Sequence, residues 1–160
     1  MATPPDPQID SEKMYRAVIT SNRGTIVMDL DPKLAPTTVN NFVGLARQGF
    51  YDGLTFHRVV SEFVIQGGCP AGTGTGGPGY KFPDEPVQAE YLLGAVAMAN
   101  SGPGTNGSQF FICIDDCTSK LSKDYNLFGY VTSGIDIAQA TAVGDVMEAI
   151  VIEEIERDGA

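Results

Sequence analysis

The chain is poor in the residues on which much enzyme chemistry depends. Its 160 residues include one histidine, His57, and three cysteines, Cys69, Cys113 and Cys117. A structural zinc site takes about four nitrogen or sulfur ligands, and no CxxC pair is present to begin one. An odd number of cysteines argues against a secreted disulfide framework, so the thiols read as buried or idle. A Ser–His–Asp nucleophile would have to centre on His57, and no GxSxG turn accompanies it. Neither a metal nor a cofactor is expected.

Positive charge is short as well. Ten Lys and Arg stand against 20 Asp and Glu, a formal charge of -10. Such a surface repels phosphate backbones, which argues against nucleic-acid binding. No uninterrupted apolar run reaches membrane-spanning length, so no membrane partner is expected. Residues 1–12 lack the basic start and apolar core of a signal peptide. The expected location is the cytoplasm.

What is present suits one folded domain. Hydrophobic residues make up 42% of the chain, enough for a core at this length. The 19 glycines exceed an average share and fall between apolar runs, as tight turns require. Residues 1–13 are proline-rich and acidic and read as a flexible leader; 14–160 read as the domain.

Residues 16–20 (RAVIT) and 25–30 (TIVMDL) are β-rich and flank Ser21-Asn22-Arg23-Gly24, a hairpin with a four-residue connection. Pro36 suits the first turn of a helix in which Val39, Phe42, Val43 and Ala46 share one face, with Gly49 as its stop. Further strands are expected at 54–60, 63–66, 95–99, 109–114, 127–131 and 148–155, with a short helix at 135–140. The fold expected is all-β: an eight-stranded antiparallel closed barrel capped by two α-helices.

Gly72-Thr73-Gly74-Thr75-Gly76-Gly77 satisfies GxGxxG. A dinucleotide reading needs a helix directly after it, and Pro78 and Pro83 forbid one. The motif reads as loop geometry.

Other segments carry the function: Phe56-His57-Arg58-Val59, then Phe63-Val64-Ile65-Gln66-Gly67-Gly68. Met98-Ala99-Asn100-Ser101-Gly102-Pro103 and Asn106-Gly107-Ser108-Gln109-Phe110-Phe111-Ile112 follow. In order and spacing, from about residue 14 to 156, they resemble the cyclophilin family of peptidyl-prolyl cis–trans isomerases, in its compact prokaryotic-type form. The resemblance implies that Arg58 is the catalytic side chain and that Phe63, Val64, Phe111 and Leu121 form an apolar proline pocket. It also implies that Gln66, Ala99, Asn100 and Gln109 bind substrate backbone or position Arg58, with His57 and Tyr125 flanking the site. Ser101, with Thr75, Lys81, Thr105 and Ser108, would form the rim of an outer pocket. The implied partners are proline-containing peptides and unfolded or flexible segments, met by a monomer.

Taken alone, strand aromatics such as Phe63 and Phe111 are ordinarily core, and Arg58 would be a surface charge. The resemblance favours the site. Three positions depart from its pattern. Val64 stands where methionine is common, Tyr125 where histidine often stands, and Lys120 where cyclosporin-sensitive members carry tryptophan. Weak cyclosporin binding is therefore expected. The main rival is a proline-binding module with little catalysis; retention of Arg58 argues against it, and a nucleotide-binding oxidoreductase is more remote.

Overall fold

The computed structural model describes residues 4–157. Two strands open the domain, β1 (Met14–Ser21) and β2 (Gly24–Leu30). In β1 the residues Tyr15, Ala17 and Ile19 are buried on one face, the period-2 pattern of a half-covered strand. Ser21 and Gly24 pair with each other, so the connection is the two residues Asn22 and Arg23, not four. The Ser21 hydroxyl accepts from Arg23 N and donates to Gly24 O, which tightens the turn.

Helix α1 (Pro36–Arg47) follows, with Pro36 at its start. The residue before it, Ala35, offers no side-chain cap. A remote carboxylate supplies one: Glu85 accepts from Thr37 N at 3.0 Å and from Thr38 N at 2.8 Å. Strands β3 (Phe56–Val60), β4 (Val64–Gly67), β5 (Ala95–Met98), β6 (Phe110–Cys113) and β7 (Leu127–Ser133) come next. Helix α2 (Ile135–Ala140) and strand β8 (Met147–Ile155) complete the fold. Gly134, at φ 82°, precedes α2 with no room for a side chain, since a Cβ there would lie 2.2 Å from Thr25 O.

The eight strands form one antiparallel sheet, ordered β3-β4-β6-β5-β7-β2-β1-β8. The expected closed barrel is corrected here: the sheet is a curled half-barrel, open between β3 and β8. The two edges meet at a corner, where Thr55 and Val146 form an isolated bridge flanked by Phe56 N to Asp145 O at 2.8 Å, Gly144 N to Phe56 O at 2.9 Å, Met147 N to Leu54 O at 2.8 Å and Gly53 N to Met147 O at 2.7 Å. Just beyond that corner Phe56 pairs with Gly67 and Arg58 with Gln66, so His57 is an extra residue that bulges β3.

Strands β5 and β6 are buried on both faces. Val96, Met98, Phe110 and Ile112 enter the main core inside the curl, with Phe42 of α1 edge-on to Phe110 at 5.3 Å. The alternate residues Ala97, Phe111 and Cys113 enter a second cluster on the outer face with Val64, Tyr91, Cys117 and Leu127. This second cluster forms the floor of the site.

The segment before β1, expected to be a flexible leader, lies along α1 from residue 4 onward. Asn40 accepts from Gln8 N at 2.8 Å and donates to Pro5 O at 3.2 Å, and Ile9 packs on the main core.

Candidate active site

One row across the sheet organises the outer face. Arg58 on β3 is opposite Gln66 on β4, Gln66 is opposite Phe111 on β6, and Phe111 is opposite Ala97 on β5. Directly opposed residues share a face, so an arginine, an amide, an aromatic ring and a small apolar residue stand side by side. The bulge at His57 sets this register for Arg58.

Around the row lies a pocket of about 640 Å³ that contains ten of the expected residues: His57, Arg58, Phe63, Val64, Gln66, Ala99, Asn100, Phe111, Leu121 and Tyr125. Val64 and Phe111 are buried in its floor, while Phe63, Leu121 and Tyr125 are half-buried around them. Phe111 and Tyr125 meet edge to face at 5.6 Å. Tyr125 is fixed from behind, its carbonyl accepting from the Tyr91 hydroxyl at 2.6 Å.

A neighbouring pocket of about 380 Å³ shares Gln66, Gly74, Ala99 and Asn100 with the first and adds Ser101 and Gln109. Thr75, Lys81 and Thr105 also line it. Ser108 lines it too, but that residue is buried and its hydroxyl donates to Gly68 O at 2.6 Å, so it is committed to the scaffold. Asn100 is likewise engaged: its amide donates to Asp124 O at 2.9 Å and accepts from Gly102 N at 3.1 Å. It thereby staples the loop after β5 to the loop before β7.

Three side chains form a relay behind the guanidinium. Arg58 Nη1 donates to Gln66 Oε1 at 3.2 Å, and Gln66 Nε2 donates to Gln109 Oε1 at 3.1 Å. Gln109 Nε2 donates to Gly74 O and Gly76 O, both at 2.9 Å. Every amide orientation is thus determined by its neighbour. The exposed arginine is held by a neutral acceptor and by no carboxylate among the described residues. Its charge remains available to a ligand.

The glycine-rich loop contributes more than the rim residue Thr75 expected from the sequence: its carbonyls anchor Gln109, and Thr73 and Gly74 line the apolar pocket. Gly74, at φ 88°, comes close to His57, with a Cβ position only 3.4 Å from Nε2. Its repeated glycines were the available signal. The loop folds around Cys69, whose sulfur accepts from Gly76 N at 3.2 Å. Burial pushes that thiol up, but the amides of Thr73, Gly76, Gly74 and Ala71 outweigh it and bring it down to about 7. Burial pushes the thiols of Cys113 and Cys117 up. Burial, with the Arg58 charge beside it, holds His57 below its ordinary value, so the ring is neutral at pH 7. Among the described residues no group of three His, Cys, Asp or Glu side chains is placed to hold a metal ion. No helix among them is long and apolar enough to cross a membrane.

The outer face of the curled antiparallel sheet thus carries an apolar pocket flanked by an arginine. Residues 15–157 match the family described as cyclophilin type peptidyl-prolyl cis-trans isomerase/CLD, and the chain belongs to that family. A peptidyl-prolyl cis-trans isomerase of Helicobacter pylori is 45% identical over 143 residues, covering 87% of each chain. Peptidyl-prolyl cis-trans isomerase B of Bacillus subtilis is 50% identical over 130 residues, 80% of this chain and 90% of that one. Among solved structures, a cyclophilin-type isomerase of Cryptosporidium parvum superposes with a TM-score of 0.80 at 31% identity, covering 88% of this chain and 98% of that one. The same Cryptosporidium protein was also solved in the presence of the dipeptide Ala-Pro, with a TM-score of 0.79.

Proposed function

We propose that this chain accelerates rotation about X–Pro bonds in peptides and in unfolded or flexible protein segments, with Arg58 as its catalytic side chain. It acts as a cytoplasmic monomer without cofactor or metal. The barrier to be lowered is about 18–20 kcal/mol, because the amide nitrogen lone pair is delocalised into the carbonyl. At the twisted transition state that pair is localised on nitrogen. A donor aimed at the prolyl nitrogen then binds the transition state more strongly than either ground state. A guanidinium suits the task, being always charged and planar.

The pocket has a separate role. Phe63, Val64, Phe111 and Leu121 grip the pyrrolidine ring while the acyl side turns. They also exclude water that would weaken the field of the arginine. Ala99, Asn100 and Ser101 border the peptide backbone, and His57 and Tyr125 flank the ring. No proton is transferred, which agrees with a neutral His57. The observation that carries this reading is the relay from Gly74 and Gly76 through Gln109 and Gln66 to Arg58, which holds an unpaired cation beside an apolar pocket.

The test is Arg58→Ala in an NMR exchange or protease-coupled assay on an Ala-Pro peptide. Loss of one transition-state donor lowers the catalytic rate by about 10²–10³-fold. Arg58 is exposed, so melting should stay within about 0.5 kcal/mol of the parent. A folded variant as active as the parent removes Arg58 from the mechanism.

A further inference from the structure

The cations of this chain are unevenly engaged. Seven of the ten lie within ion-pair distance of a carboxylate. The other three are Arg47, Arg58 and Lys81, and Arg47 lies outside both pockets, reaching Gln8 Oε1 at 3.5 Å. The two remaining cations line the two joined pockets, Arg58 the apolar one and Lys81 its neighbour, Lys81 also bordering the groove between the N-terminal segment and α1.

The walls themselves repeat the asymmetry. The chain has 20 acidic residues, yet neither pocket has an Asp or Glu among its described lining residues. In the neighbouring pocket the one charged side chain is the exposed Lys81. Its other ionisable group, Tyr80, is pushed up by burial to about 12 and stays neutral. The acid nearest in sequence, Asp84, is turned to the scaffold, accepting from Asn106 Nδ2 at 2.9 Å and Gly104 N at 3.2 Å.

We propose that Lys81 makes the pocket beside the proline pocket selective for an acidic side chain, so that the preferred substrates carry Asp or Glu close to the proline. The inference rests on the isomerase reading and adds a substrate class to it. A net charge of -10 repels acidic peptides at long range. At physiological salt, however, the Debye length is about 8 Å, so inside the pocket the nearest charge decides. Lysine places a compact charge on a flexible stem, which suits carboxylates arriving at slightly different depths.

The test compares kcat/KM for proline peptides that differ only in Glu or Gln, at each of the two positions before and after the proline. At one position or more, Glu should exceed Gln by about two- to five-fold, the range of a solvent-exposed ion pair. The ratio should fall to about one in Lys81→Gln, persist in Lys81→Arg, and drop below one in Lys81→Glu. It should also shrink toward one near 1 M salt, where the Debye length is about 3 Å. Turnover of all peptides with ratios of one throughout, or a Glu preference that survives in Lys81→Gln, overturns this inference and leaves the isomerase reading standing. Absence of turnover with every peptide overturns both.

Discussion

Arg58 acts through its neighbours as much as through its charge. A flexible arginine on an edge strand would sample many rotamers, and each one restricted lowers the entropy lost when the transition state forms. Gln66 supplies that restriction, and Gln109 fixes which end of the Gln66 amide faces the guanidinium. His57, as the single histidine, offers a clean readout of the same environment. Its Nδ1 is buried without a protein partner, and burial with Arg58 nearby disfavours the protonated ring. In an NMR pH titration its one midpoint should fall below about 6.5. The sign for stability follows. The unfolded chain binds the proton first, so the contribution of His57 is whole above about pH 6.5 and is lost as pH falls through the window below it. His57→Gln should flatten that part of the stability curve. A midpoint above 6.5 contradicts the described burial.

Lys120 belongs to the same scale. Its ammonium donates to Glu62 O at 2.5 Å and lies 3.9 Å from Asp115 Oδ2, so it braces the tight turn where Glu62 has φ 60°. It lines the apolar pocket but offers a drug neither a broad apolar face nor an indole donor. Loss of such an anchor costs about 2 kcal/mol or more, roughly thirtyfold in affinity. The protein should therefore bind cyclosporin weakly by calorimetry, and Lys120→Trp should tighten binding with little change in turnover. Tight binding by the unaltered protein shows that this contact matters little.

At the scale of elements, the clearest case is the cap of α1. The helix begins at Pro36 after an alanine, and its first amides are satisfied by Glu85, about fifty residues later in the chain. Glu85→Ala should cost about 1–2 kcal/mol, the loss of a cap together with a charge at a helix N-terminus. For a chain of this size each kcal/mol lowers the melting temperature by about 2–4 °C. Glu85 lines neither pocket, so kcat/KM should hold. The same element shows what a sequence discloses. The start of α1 at Pro36 and the span Ile135–Ala140 of α2 were legible, because proline, glycine and helical periodicity are local signals. The Glu85 cap was not, since no short-range pattern joins it to Thr37. The hairpin turn was misjudged by one residue on each side, because Ser21 and Gly24 carry no apolar pattern yet still pair. Closure of the sheet was overestimated because a strand count does not say whether the two edge strands, β3 and β8, pair along their length. For the site, motifs disclosed which side chains gather, whereas the contact from Gln109 back to Gly74 spans 35 residues and only folding reveals it.

For the molecule as a whole, the question is whether residues before β1 are part of the domain. Gly44 lies inside α1, where glycine is about 1 kcal/mol less favourable than alanine, so its presence needs a reason. The leader provides one: a Cβ on Gly44 would lie 2.4 Å from Pro5 Cβ. Helix and leader are therefore fitted to each other, and a double-mutant cycle can measure the fit. Removing residues 1–8 takes away the bonds to Asn40 and should cost about 1–2 kcal/mol, on the order of 1 kcal/mol for each hydrogen bond lost. In that shortened chain Gly44→Ala should stabilise by about 1 kcal/mol, since only helix propensity remains. In the full chain the same substitution must displace Pro5, and the gain should vanish or reverse. The coupling between the two changes is then on the order of 1 kcal/mol or more, readable by chemical denaturation. Isomerase activity should not follow it, because Gly44 and the described residues 4–8 line neither pocket of the site. Equal stabilisation by Gly44→Ala in both backgrounds means that the leader does not dock on α1 in solution.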